Sequence, residues 1–356
     1  MTKVVFPAEW HPQEAVMVTW PHRDSDWAPL LEEVVRCYVD ISKEILRRER
    51  LLVVVPPGED VTPYFSVEER QNLQIVEIPS NDTWTRDHGP ITLFQGSRPV
   101  IADFGFNGWG LKFAADRDNQ ITGQLFEKGI FHPSVTYQNR LDFILEGGSV
   151  ESDGMGTLLT TRRCLLAPNR NQPMIQAAIE DALKEMLGAT RVLWLNHGYL
   201  AGDDTDSHVD TLARFCATDT IAYVKCDDVN DEHYEALRAM EQELQAFVTS
   251  SGDPYRLIPL PMADAVYEEG ERLPATYANF LILNDAVLIP FYGTDKDEIA
   301  RHQLQQAFPD REVVGVDCSV LILQHGSLHC ATMQLPKGSL NVNSKFTVHG
   351  SRLLSY

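Results

Sequence analysis

The chain has 356 residues, 44% of them hydrophobic and 23% charged, which allows a sizeable buried core and excludes a disordered polypeptide. Thirty basic residues against 51 acidic give a formal net charge of -21. That sign argues against nucleic-acid binding and suits either a cationic ligand or plain solubility. The opening "MTKVVFPAEWHPQEAVMVTW" has no basic segment followed by an apolar run, and no apolar stretch of about eighteen residues occurs. Neither a signal peptide nor a membrane span is expected, and a cytoplasmic protein is.

Short β-type runs alternate with helical periodicity along the chain. Strands are expected at 15–20 ("AVMVTW"), 51–55, 74–78, 99–104, 156–161, 191–195, 220–225, 280–284 ("FLILN") and 286–290. Helices are expected near 28–49, 172–187, 230–249 and 295–308, where apolar residues recur three and four apart. The second has Asn171 as a candidate cap, Pro173 in its first turn and Gly188 past its end. With no Ser/Gly/Pro-rich linker, the expectation is one continuous α/β domain over 1–356.

The six cysteines, at 37, 164, 216, 226, 318 and 330, are scattered without a C-x-x-C pair, so reduced thiols are expected. No phosphate-binding or dinucleotide-binding glycine motif occurs, and no cofactor is implied. The glycine-rich "GFNGWG" (105–110) reads as a loop near a site, with Trp109 as a candidate wall.

Four polar segments carry more chemistry than a plain core requires. "NDTWTRDHGP" (81–90) gathers Trp84, Arg86, Asp87 and His88 into one loop, and "ILEGGSVES" (144–152) sets Glu146 beside two glycines that permit close backbone approach. "GDDTDSHVDT" (202–211) leads an acidic loop into His208 and Asp210, whose spacing would put them on one face of a strand. "LQHGSLHCATM" (323–333) places Cys330 behind a Gly-Ser turn. Each has a plain reading: the acids as turn or cap residues, the His–Asp pair as a structural hydrogen bond, the cysteine as a small hydrophobe. A zinc site on His208 and Asp210 lacks its further ligands in the sequence. The spacing joins these segments: Asp87 to Glu146 is 59 residues, Glu146 to His208 is 62, Asn279 follows 71 later and Cys330 another 51. Five polar marks at such intervals suggest five similar units around a common centre.

In these motifs the sequence closely resembles the agmatine deiminases, within the porphyromonas-type peptidylarginine deiminase family. "NDTWTRDHGP", "EGGS", "DDTDSHVD" and "GSLHC" stand in the family's order, and the resemblance runs from "PAEWHPQEAVMVTWP" (7–21) to "NVNSKF" (341–346). It implies a pentein fold: a five-bladed α/β propeller with an axial active site. It also implies Cys330 as nucleophile, His208 as acid/base and Glu146 as the carboxylate paired with that histidine. Asp87 and Asp210 would grip a guanidinium, Trp84 would line its pocket, and Asn279 matches an asparagine near the thiol. Ser207 departs from the pattern, since glycine more often precedes the histidine.

The implied chemistry suits the residue types. A guanidinium is planar and resonance-stabilised, so two carboxylates must fix its plane while a thiolate attacks its carbon. A histidine then protonates the departing nitrogen and later activates water against the covalent thiouronium. Three carboxylates near Cys330 should raise its pKa, so a resting neutral thiol is expected. The resemblance points to agmatine as substrate, N-carbamoylputrescine and ammonia as products, and putrescine (polyamine) biosynthesis as setting. Trp84 and the acidic loop 203–206, Asp204 among it, are candidates to hold the distal amine. Free or peptidyl arginine is the rival substrate, with Arg86 a candidate partner for its carboxylate, and a non-catalytic guanidine-binding protein is the rival of a different class. A homodimer is implied only by analogy.

Overall fold

The computed structural model describes residues 3–341, so most of the "NVNSKF" segment lies outside the described residues. The all-apolar run Leu51–Val55 is fully buried and belongs to the strand Arg50–Val55. It lies between Gln13–Thr19 and Leu73–Glu77, parallel to both, a setting in which a strand loses alternation because both faces are covered. Helix Leu31–Leu46 buries Val34, Val35, Tyr38, Ile41 and Ile45, one stripe at helical spacing.

One arrangement recurs five times among the described residues: an antiparallel strand pair, then a strand parallel to its second member. Ile91–Gln95 pairs with Arg98–Gly105, which pairs in parallel with Thr136–Ile144. Val150–Ser152, Thr157–Thr161 and Arg191–Leu195 repeat this, as do Ala213–Ala217, Thr220–Lys225 and Arg256–Pro261. Leu281–Ile282, Ala286–Phe291 and Glu312–Asp317 form the fourth sheet. The fifth joins the two ends of the chain, because Thr332–Pro336 pairs antiparallel with Gln13–Thr19. In each sheet the parallel crossover carries a helix, such as Tyr234–Ala246 or Lys296–Gln305. Each polar mark of the sequence falls just ahead of the antiparallel pair that opens one such repeat: Asp87, Glu146, His208, Asn279 and Cys330 precede strands beginning at Ile91, Val150, Ala213, Leu281 and Thr332.

Several expected elements change. The first helix begins at Leu31, after a 3-10 turn Ala28–Leu30 that contains Pro29. The second begins at Gln176, and Pro173 stays in the loop before it. Asn171 is not its cap, because its side chain is committed to the backbone of Ile144, accepting from the N–H at 2.9 Å and donating to the carbonyl at 2.8 Å. Gly188 ends the helix as expected, in the left-handed region at φ 71°. "FLILN" shrinks to Leu281–Ile282: the Phe280 carbonyl is taken by Arg214 at 2.6 Å, and the Leu283 N–H closes a turn onto Ala286. Arg256–Pro261 is a strand despite two prolines, which its edge position tolerates. No helix among the described residues is long and apolar enough to cross a membrane.

Candidate active site

The short helix Thr85–His88 carries Asp87, and the Arg86 N–H bonds the Cys330 carbonyl at 3.0 Å, so these two segments are joined by backbone. His208 is placed by a tight acidic turn. The Asp203 carboxylate accepts from the N–H groups of Thr205 and Ser207 at 3.0 and 2.6 Å, and Thr205 Oγ1 accepts from the His208 N–H at 3.0 Å. Asp206 and Ser207 are left-handed, at φ 66° and 65°. That conformation explains why glycine suits position 207, since a side chain there adds roughly 1–2 kcal/mol of strain. The chain then enters a 3-10 turn, Val209–Thr211. His208 and Asp210 therefore do not share a strand face; they converge from either side of Val209 in a turn.

The point of convergence is Gly148. A Cβ built on it would lie 2.7 Å from His208 Nδ1, 2.9 Å from Asp87 Oδ1 and 3.0 Å from Asp210 Oδ2. Its N–H donates to Asp87 Oδ1 at 3.0 Å, and Trp109 Nε1 donates to Asp87 Oδ2 at 2.9 Å. Cys330 Sγ is 4.0 Å from Asp210 Oδ2, and His208 Nδ1 is 3.6 Å from Asp87 Oδ1. Both ring nitrogens of His208, Asp210 Oδ1 and Glu146 Oε2 are buried without a hydrogen-bond partner. Buried polar atoms are almost always satisfied, so this concentration of open valences marks a place where a ligand would supply the partners.

Glu146 and Asn279 both have partners within the protein. Glu146 and His208 have donor atoms within 4.8 Å of each other without a hydrogen bond between them, and Arg170 takes one carboxylate oxygen: Nε donates to Glu146 Oε1 at 2.8 Å, while the same guanidinium binds Asp206 Oδ2 at 2.7 Å and the Thr205 carbonyl at 2.9 Å. Asn279 is spent on the protein rather than open to a substrate. Its Oδ1 accepts from the backbone N–H groups of His329 and Cys330, at 2.8 and 3.2 Å, and its Nδ2 lies 3.4 Å from the Asp210 carbonyl.

Burial governs the protonation states. It pushes the Cys330 thiol well up, with Asp210 and Asp87 adding to the effect, so the resting group is a neutral thiol. Burial pushes His208 well down, helped by the charges of Arg170 and Lys112, so its imidazole is neutral. Asp87 is raised to about 7 by burial and by Glu146, against the hydrogen bonds from Trp109 and Gly148. Asp210 is raised well above the carboxylate range by burial and by Asp87.

Cys330 and Asp87 open onto a cavity of about 160 Å³. Trp84 and Trp109 form its walls, and Asp26, Asp82 and Asp204 add carboxylates around it. Trp84 packs against Gly326, where a Cβ would come 2.3 Å from the ring. None of the described residues lining the cavity is Arg or Lys, and His325 is among them. Arg86 lies elsewhere: buried, it donates to Gln334 Oε1 at 2.6 Å and sits 3.9 Å from Glu9.

Among the described residues, two groups of three have donor atoms close enough to share a metal ion, within 4.8 Å of one another: Glu146, Cys164 and His208, and Glu9, Glu151 and His329. In each the carboxylates are already bound by an arginine, Arg170 in the first and Arg214 in the second. These donor sets fit a guanidinium already present in the protein rather than a metal. Sequence reasoning missed both arginines, since an isolated arginine carries no motif. It also passed over His329, although that residue adjoins the thiol.

Residues 5–336 match the Porphyromonas-type peptidyl-arginine deiminase family, and the chain belongs to that family. A "Putative agmatine deiminase" of Legionella pneumophila (strain Philadelphia 1) is 33% identical over 338 residues, covering 93% of this chain and 94% of the relative. A solved "Putative Arginine Deiminase" from Porphyromonas gingivalis is 57% identical with a TM-score of 0.92, over 95% of this chain and all of that one. A Cys-to-Ser variant of agmatine deiminase from C. jejuni, solved with substrate bound, is 38% identical with a TM-score of 0.86, over 95% of this chain and 97% of that one.

Proposed function

We propose that the protein hydrolyses agmatine to N-carbamoylputrescine and ammonia through a covalent intermediate on Cys330. The observation that carries the choice of substrate is the composition of the cavity. Asp26, Asp82, Asp87 and Asp204 line it, with His325 the one basic residue among the described lining, which suits a dication better than a ligand that carries the α-carboxylate of free arginine. Trp84 and Trp109 form apolar walls for a tetramethylene chain between the two charges. Asp204 and Asp82 are the candidate acceptors for the distal ammonium.

In the proposed mechanism, Asp87 and Asp210 bind the guanidinium as a pair of ionised carboxylates, and the open Oδ1 of Asp210 takes one of its N–H groups. The cation favours ionisation of the thiol, and the proton lost from Cys330 goes to His208. The thiolate attacks the central carbon and forms the S–C bond; the C–N bond to an unsubstituted nitrogen breaks as His208 returns the proton, and ammonia leaves. Neutral His208 then takes a proton from water, whose oxygen adds to the thiouronium carbon. Cleavage of the S–C bond, with the proton on His208 returning to sulfur and the hydroxyl proton of the adduct passing to solvent, restores the thiol and releases the ureido product. Glu146, tied to Arg170, sets the position of the His208 loop in this reading. Asn279 orients the Cys330 segment.

The five repeated sheets, with one candidate residue ahead of each and the chain ends closed in one sheet, support a five-bladed propeller acting as one catalytic domain. Putrescine biosynthesis is the setting this reaction would serve. The arginine reading draws support from the name of the P. gingivalis relative. Ammonia release from agmatine, free arginine and a blocked arginine peptide, with Cys330→Ala alongside, tests the choice. Turnover confined to agmatine and lost in the variant is expected, while turnover of arginine or the peptide in preference would move the substrate.

A further inference from the structure

His329 is buried beside the thiol, and its ring joins two carboxylates from distant parts of the chain. Nδ1 lies 2.7 Å from Asp210 Oδ2, and Nε2 lies 2.7 Å from Glu9 Oε2. The residue is 1% exposed, and its N–H is fixed by Asn279 at 2.8 Å. Each of these contacts holds one proton, since two acceptors at that distance would repel. The trio therefore contains two protons, and with Glu9 ionised they have two arrangements. In one, neutral Asp210 donates to a neutral imidazole that donates to Glu9. In the other, an imidazolium donates to two carboxylates.

Glu9 is the fixed end of this chain. Its Oε2 also accepts from Arg214 at 2.6 Å, and its Oε1 accepts from the Ile282 N–H at 2.7 Å. Burial opposes its charge, but Arg214, His329 and Arg86 hold its carboxyl well below the usual range. The movable proton is therefore the one between His329 and Asp210.

We propose that His329 is a positioning residue that receives the proton of Asp210 when a guanidinium enters the site, so that the carboxylate ionises without releasing a proton to water. In this step the Asp210 O–H bond breaks and the His329 Nδ1–H bond forms across the existing hydrogen bond, with no net gain or loss. The charged groups around the ring fit both states. Burial, Arg214 and Arg86 disfavour imidazolium and Glu9 supports it, and a newly ionised Asp210 would add a second carboxylate in its favour once a cation faces Asp210. Glu151 also lies in this cluster, with its own carboxylate bonded to Arg214. Burial and Asp87 keep Asp210 neutral without ligand, which supports the starting arrangement.

This inference rests on the reading that Asp87 and Asp210 hold the guanidinium. Calorimetry of agmatine binding to Cys330→Ala, in buffers of different ionisation enthalpy, counts the protons exchanged. With His329→Gln added, which keeps polar contacts but cannot become a cation, binding should release about one more proton per agmatine. Nitrogen-15 histidine spectra of Cys330→Ala should show His329 passing from neutral to doubly protonated as agmatine is added. Equal proton counts in the two proteins, or a His329 ring unchanged by bound agmatine, would overturn the proposal. Should the double variant not fold, the spectra of Cys330→Ala decide alone. Failure of Cys330→Ala to bind any guanidine would instead remove the reading of the site, and this inference with it.

Discussion

Replacing Gly148 by alanine inserts a single methyl group where three candidate catalytic side chains meet. Its carbon would stand 2.7 Å from His208 Nδ1, 2.9 Å from Asp87 Oδ1 and 3.0 Å from Asp210 Oδ2, where ordinary contact begins at 3.4 Å. The backbone at Gly148 is not left-handed, so the substitution adds steric conflict rather than conformational strain. Relief requires the three groups to retreat by roughly half an ångström on average, and overpacking of this kind destabilises by about 1–3 kcal/mol. Misplacing reacting groups by about 1 Å lowers rates by about 100-fold, so a loss of about 10- to 100-fold in kcat/KM is expected. Steady-state ammonia release with a thermal melt measures both effects. Gly123→Ala is the control, because its Cβ would meet only Asp103 and Tyr137, at 3.5 and 3.6 Å, on a helix away from the site. Activity of folded Gly148→Ala within about threefold of the parent would refute the packing argument.

Ser207→Gly should stabilise the protein by ~1 kcal/mol and leave kcat/KM unchanged, read by denaturant melts and ammonia release, because it removes the left-handed strain before His208. Arg170→Ala leaves Glu146 charged, buried and unpaired, so a loss of about 3–5 kcal/mol in unfolding free energy is expected. Asn279→Ala frees the N–H groups of His329 and Cys330 and should lower kcat by about tenfold with little change in KM, since those bonds orient the thiol and not the ligand. Asp87 must be ionised to bind a cation and is raised to about 7, so kcat/KM should fall as pH drops below that value and level off above it. A pH profile flat down to the ordinary carboxylate range would contradict that assignment.

Much of this site is legible in the sequence because its residues sit in turn-rich motifs. Gly147 and Gly148 announce close backbone approach, and at both a Cβ would collide, with the Arg86 carbonyl at 2.1 Å in the first case. The spacing of the five polar marks reflects the repeated sheet, each mark preceding a first strand. What the sequence hides is competition for partners. Nothing in "APNRNQP" says that Arg170 will claim Glu146, because that bond depends on how the loop folds across the sheet. The Glu9–His329 contact spans 320 positions and arises only when both chain ends enter one sheet. The i, i+2 spacing of His208 and Asp210 cannot tell a strand from a turn, because it also occurs in a tight turn, here set by the Asp203 side chain.

The central claim is that Cys330 becomes covalently bound to the guanidine carbon. Mass spectrometry of the protein acid-quenched during turnover of agmatine tests it directly. The account predicts a Cys330-containing peptide heavier by agmatine less ammonia, present only while substrate remains. Ammonia release with Cys330 unmodified at every quench time, or undiminished release from Cys330→Ala, would contradict it.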